Sequence, residues 1–132
     1  KTIRRAGKHL EVTNLLIPDE NDDEKDFRRM MEWLVKELGH DTVLHISRFF
    51  PTYKLIHNAT PEKLLMRFYG IAREYLYYVY LGNMRSDAGH DTACPKCGEL
   101  LIRRDGYRTE IVGLDDQAHC VKCGEHIPVI ME

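Results

Sequence analysis

The sequence predicts an α/β protein, a βαβαβ unit with parallel strands, followed by a small β module built on four cysteines. Three observations carry this. Strand-like apolar runs and amphipathic helical stretches alternate through residues 1–83. The strand-like runs begin at Leu10, Val43 and Tyr77, about 33 residues apart, which is the size of a βαβ unit whose right-handed crossovers make its strands parallel neighbours. All four cysteines fall in residues 94–123, as two Cys-x2-Cys pairs.

Each element has its own signal. Leu10–Ile17 (LEVTNLLI) is rich in β-branched and aliphatic residues and is stopped by Pro18, as a buried strand is. Asn21 followed by Glu24 reads as a capping box, and the acidic run from Asp19 to Asp26 suits a helix start better than a calcium loop, whose regular ligand spacing and glycine it lacks. Phe27, Met30, Met31, Leu34 and Leu38 then recur at helical spacing up to Gly39. Val43–Phe50 (VLHISRFF) is a second strand closed by Pro51. Thr60, Pro61 and Glu62 supply an N-cap, a proline at the first helical position and an acid in the first turn. Leu64, Leu65, Phe68, Ile71, Ala72 and Tyr75 form the apolar stripe of that helix. Met30, Met31 and Met66 read as core filler, and Tyr75, Tyr77, Tyr78 and Tyr80 as aromatic packing at a third strand, Tyr77–Leu81.

In parallel sheets ligands sit beyond the carboxyl ends of the strands, so the loops after Ile17, Phe50 and Leu81 form the functional edge. Thr13, Asn14, His45, Ser47, Arg48 and Asn83 are the polar residues at or near it. Three strands cannot close a barrel, and the edge strand Leu10–Ile17 is expected to need covering by further strands or by a partner chain.

Arg85–Thr92 (RSDAGHDT) turns polar without periodicity and reads as a linker. The divisions are thus 1–84, a linker at 85–92, and 93–132. The last contains Cys94-Pro-Lys-Cys97-Gly98 and Cys120-Val-Lys-Cys123-Gly124. Two residues between cysteines let one tight turn aim both thiolates at a single ion, and the following glycine permits the positive φ that closes it. Two such knuckles complete a tetrahedron of sulfur. Leu100–Val112 carries Asp105-Gly106 between β-formers, a hairpin signal, and Ile127–Met131 is expected to add a third strand. The module reads as a zinc ribbon with Cys94, Cys97, Cys120 and Cys123 as metal ligands. Iron, held singly as in rubredoxin, is the rival metal. A site closed by four thiolates has no open position for substrate and is expected to stabilise rather than catalyse. His90 and His119 lie near the cysteines and would substitute only if a thiolate fails.

Hydrophobic residues make up 43% of the 132 and charged residues 30%, with a net charge of −2, an ordinary mixture for a globular protein. No apolar run approaches the roughly 18–20 residues a bilayer helix needs, and no signal-peptide core opens the chain, so the expected location is cytoplasmic, without a membrane partner. Arg103, Arg104 and Arg108 are balanced by Asp105, Glu110, Asp115 and Asp116, so nucleic acid is not expected as a partner. A start at Lys1, close to strand-like sequence, suggests part of a longer protein.

Taken together, His9-Leu-Glu-Val-Thr-Asn-Leu-Leu-Ile-Pro18, Asn21-Asp22, Leu44-His-Ile-Ser-Arg-Phe-Phe-Pro51, Tyr78-Val-Tyr-Leu-Gly-Asn83 and Cys94-Pro-Lys-Cys97-Gly98 resemble one family. It is that of the radical S-adenosylmethionine proteins of the AmmeMemoRadiSam system, relatives of the pyruvate formate-lyase activating enzyme. The resemblance covers nearly the whole chain and lies in the C-terminal part of those proteins. It implies that the three strands are the last three βα-type units of a partial (β/α)6 barrel, a TIM-type barrel, followed by the cysteine-bearing tail. It further implies a parent enzyme that binds a [4Fe–4S] cluster and S-adenosylmethionine, generates a 5′-deoxyadenosyl radical and takes hydrogen from a substrate, with a protein among the candidates. The cluster of that family sits on a Cys-x3-Cys-x2-Cys loop, and no such triplet occurs here. This chain alone is therefore expected to be inactive, its partner being the missing N-terminal half or a second chain.

On the same resemblance, Thr13, His45, Ser47 and Arg48 would line the cosubstrate cleft. His45 and Ser47 alternate onto one strand face with Leu44 and Ile46 on the other, Thr13 would join the inward face, and Arg48 would meet a carboxylate or phosphate. The competing reading of each is structural. The competing function for the chain is a freestanding zinc-ribbon module that binds a protein or nucleic acid.

Overall fold

The computed structural model describes residues 1–54, 57–84 and 88–131. The chain divides into two compact units, Lys1–Gly89 and His90–Glu132. The elements of the first are α1 (Thr2–Arg5), β1 (Glu11–Leu16), α2 (Glu24–Leu38), β2 (Val43–Arg48), α3 (Glu62–Arg73) and β3 (Tyr78–Gly82); those of the second are β4 (Thr92–Ala93), β5 (Leu100–Asp105) and β6 (Arg108–Ile111). Among the described residues no helix is long and apolar enough to cross a membrane.

In the first unit β1, β2 and β3 pair in that order, both pairs parallel, with Thr13 beside His45 and His45 beside Tyr80 in register. Strand alternation sends Leu16, Leu44, Ile46, Val79 and Leu81 to one face, where they are buried with Phe27, Met31, Leu34 and Leu38 of α2 and Leu65, Phe68 and Ile71 of α3. Phe27 and Phe68 meet edge to face at 4.7 Å, which locks the two helices together over the sheet. Met31 is fully buried and Met30 packs at the margin of this core, while Met66 lies at the surface, outside it.

This arrangement corrects the expectation of the last three units of a partial (β/α)6 barrel. The described residues form a three-stranded parallel sheet and a three-stranded antiparallel sheet, with three helices, and no barrel. Closing a sheet into a barrel takes more staggered strands than this, and three leave an open sheet. The β1 edge has no strand on its outer side among the described residues, whereas at the β3 edge the Leu81 amide donates to the Gly89 carbonyl at 2.8 Å.

Two caps also differ from expectation. Asp23, not Asn21, caps α2, its side chain accepting from the Asp26 amide. Asn21 instead closes the end of β1, accepting from the Ile17 amide at 2.7 Å and donating to the Leu15 carbonyl at 2.9 Å. Thr60 is no helix cap either. Pro61 occupies that position, and the fully buried Thr60 hydroxyl donates to the Leu16 carbonyl and accepts from the Phe49 amide, tying the ends of β1 and β2 together.

In the second unit β5 and β6 form the expected hairpin, turning at Gly106 and Tyr107, with Asp105 opposite Arg108. The third strand is β4, not Ile127–Met131. Arg104 secures β4 by donating to the His90 carbonyl and the Thr92 hydroxyl at 3.0 and 2.7 Å. Ile127 is buried, and Pro128 has no amide with which to continue a ladder. Of the expected linker, Arg85, Ser86 and Asp87 lie outside the described residues, and Thr92 belongs to β4.

Candidate metal centre

Each cysteine pair sits in a tight turn of the same geometry. In the first, the Cys94 amide donates to the Glu99 carbonyl at 2.8 Å and the Gly98 amide to the Cys94 carbonyl at 2.9 Å; in the second, Cys120 to Glu125 and Gly124 to Cys120, both at 2.8 Å. Gly98 and Gly124 share φ of +73°, the left-handed conformation a side chain disfavours. The turns bring backbone amides onto sulfur, Glu99 onto Cys97, Glu125 onto Cys123, and both Lys122 and Cys123 onto Cys120. An Asp115 loop delivers the second turn, its carboxylate accepting from the His119 and Gln117 amides at 2.8 and 3.0 Å.

The four sulfurs lie within 4.8 Å of one another. Cys94 and Cys123 are 3.6 Å apart and Cys97 and Cys120 3.7 Å, so the first cysteine of each turn faces the second of the other. A tetrahedron of thiolates at metal–sulfur distances of about 2.3 Å places its sulfurs about 3.8 Å apart, so the donor set fits one tetrahedral ion. Cys94 and Cys120 are buried and all four are free of disulfides. Four cysteines are thus positioned to bind a metal ion.

Among themselves these thiols share charge unequally. Burial disfavours the Cys120 thiolate, but the amides of Cys123 and Lys122 and the thiols of Cys97 and Cys123 outweigh it and draw its pKa down to about 7. At Cys123 the Glu125 amide favours the thiolate, yet burial and the sulfurs of Cys97, Cys94 and Cys120 push it up to about 12. A bound cation removes this mutual opposition by stabilising every thiolate together. His119 is not in the cluster; it lies 3.5 Å from Asp115 and packs edge-on against His126 at 5.3 Å.

The strand residues assemble differently. Thr13 and His45 are register neighbours on the sheet face away from the helices, and Ser47 lies two residues further along that face. His45 Nε2 is 2.9 Å from Glu11, whose other oxygen is 2.9 Å from His9, and its ring packs beside Tyr80 at 5.5 Å. The Ser47 side chain lies across Gly82, where an added Cβ would sit 2.5 Å from its hydroxyl oxygen. Arg48 points to the helix side, donating to the Thr60 carbonyl at 2.8 Å and to Glu62 at 2.9 Å, with its guanidinium over the Phe50 ring. Asn83 donates to the Arg48 carbonyl at 3.2 Å. Sequence reasoning missed Glu11 and His9, whose partners only strand register reveals. It also missed Lys96, Glu99, Lys122 and Glu125, although the shared phrase Cys-x-Lys-Cys-Gly-Glu at 94–99 and 120–125 carried the signal.

No family model matches the chain, and no solved structure does. The chain is 40% identical over 134 aligned positions, 99% of its own length, to MJ0808, an uncharacterized protein of Methanocaldococcus jannaschii. It spans 40% of the length of that relative.

Proposed function

We propose that the second unit is a zinc ribbon whose single zinc ion is structural, and that the chain serves as the C-terminal part of a radical S-adenosylmethionine enzyme. The observation that carries the first half is the packing of four sulfurs within 4.8 Å in two amide-lined turns. Thiolate ligands suit zinc, and four of them leave no position for water or substrate. Zinc there supplies folding free energy to a unit too small to rely on its own core.

The second half rests on the phrases around Leu44–Pro51, Tyr78–Asn83 and Cys94–Gly98, and is compatible with a relative much longer than the matched segment. The residues present do not fit the [4Fe–4S] cluster of such an enzyme, because no Cys-x3-Cys-x2-Cys triplet occurs among the 132 and the four cysteines converge on one site. The contribution of this chain is binding and shape, with Thr13, His45 and Ser47 offering polar groups on one sheet face. Other segments of a longer protein, or a second chain, would cover the β1 edge.

The test is metal analysis of the longest polypeptide its gene encodes, isolated without air. One zinc and about four irons per chain, with an electron paramagnetic resonance signal that changes on adding S-adenosylmethionine, supports both halves. Zinc without iron overturns the radical enzyme and leaves the ribbon. A second reading, a ribbon that binds a protein partner, is favoured by the exposed aliphatic side chains of Val112 and Val121 in the second unit.

A further inference from the structure

The metal-binding turns are copies of one six-residue phrase, but the metal requires only its cysteines and the turn only its glycine. The lysine and the glutamate recur all the same, and the fold crosses them. Lys96 of the first turn lies 3.3 Å from Glu125 of the second, and Lys122 of the second lies 2.8 Å from Glu99 of the first. Each ammonium also stands in the field of one sulfur from each turn, Lys96 with Cys94 and Cys123, Lys122 with Cys97 and Cys120. Those are the same two pairs whose sulfurs approach most closely across the turns. Four thiolates around a divalent ion leave two negative charges, which the two ammonium groups match in number.

We propose that Lys96 and Lys122, held by Glu125 and Glu99, form a reciprocal clasp that offsets the charge of the metal-bound thiolates and resists separation of the two turns, so slowing release of the metal. The inference rests on the zinc reading above. For an ion held between two turns, release begins when one turn swings away from the other, and that motion opens both ion pairs at once. It also separates each lysine from a thiolate of the opposite turn. The lysines are positioning residues: they touch no metal and act through the sulfurs.

The experiment uses the whole 132-residue chain loaded with zinc, with transfer of zinc to excess chelating dye followed by absorbance. Lys96→Met and Lys122→Met keep the length of the stem and remove the charge. Each is expected to take up one zinc and to release it about two- to fivefold faster, the range of exposed charge interactions, with the double variant near the product of the two. Lys→Arg at either position restores the slow rate. The acceleration shrinks as salt rises, because these groups face solvent and are screened. Methionine variants that load one zinc and release it at the parent rate overturn the clasp and leave the ribbon standing. So does an acceleration that persists undiminished at high salt. A parent chain that takes up no zinc overturns the ribbon and the clasp together.

Discussion

Thr60 ties together the carboxyl ends of β1 and β2, and removing its hydroxyl tests that role directly. The residue is fully buried; its oxygen accepts from the Phe49 amide at 2.9 Å and its hydrogen goes to the Leu16 carbonyl. Thr60→Val keeps the shape and opens no cavity, but strands one donor and one acceptor away from water. Each such group costs about 1–3 kcal/mol, so the pair is expected to cost about 3 kcal/mol. Thr60→Ser keeps the hydroxyl and loses one methyl, costing about 1 kcal/mol. Urea unfolding followed by fluorescence of Trp33, the single tryptophan, reports on the first unit, since Trp33 lies on α2. With a slope near 1 kcal/mol/M for a unit of this size, Thr60→Val should lower the midpoint by about 2–3 M at unchanged slope. A midpoint within about 0.5 M of the parent, or a serine variant weaker than the valine one, would refute the role assigned to the hydroxyl.

Three further outcomes follow from particular contacts. Gly82→Ala puts a methyl 2.5 Å from the Ser47 hydroxyl, which must turn to another rotamer, and should destabilise by about 0.5–1.5 kcal/mol in the same titration, with more than half recovered in Gly82→Ala/Ser47→Ala. Cys120→Ser should cut zinc uptake by the whole chain from one ion to a small fraction, read by elemental analysis, since the other three sulfurs no longer close a tetrahedron. At Glu11, the His9 hydrogen bond, opposed by burial and reinforced by His45, holds the carboxyl below its ordinary 4.5. The unfolded chain therefore takes up this proton first as pH falls. Glu11 stabilises fully above about pH 4.5 and loses that contribution as pH drops through its folded value. The midpoint difference between the parent and Glu11→Gln should narrow from pH 6 to pH 3; a constant difference counts against the His9–Glu11–His45 network.

How much of the protein is legible in its sequence depends on how local each cause is. Cysteines two apart, with a glycine behind the second, specify their own turn, so the spacing alone announces the four-cysteine cluster. The strands and the two long helices follow from β-branched runs and from the apolar stripes Phe27–Leu38 and Leu64–Ala72, whose periods are properties of a single segment. The hairpin at Gly106 is equally local.

What depends on a distant partner was not legible. Asn21 and Thr60 both look like helix caps, since each is a short polar residue just before a helical run. The tertiary structure gives Asn21 to the end of β1 and Thr60 to a pair of strand ends, and at Thr60 the reason is that the buried Phe49 amide and Leu16 carbonyl must be paired away from water. Closure into a barrel is a property of the whole sheet, and the three described strands leave it open. The joining of Lys96 to Glu125 and Lys122 to Glu99 required two turns 26 residues apart in sequence to meet face to face, as Cys94 and Cys120 show. Sequence by itself determined the three strands and two long helices of the first unit, the hairpin and the two cysteine turns, because those follow from residues within a few positions of one another. Only the tertiary structure decided which polar groups answer one another and how the sheet ends, because those choices are made by whichever unsatisfied atoms the packed chain brings together.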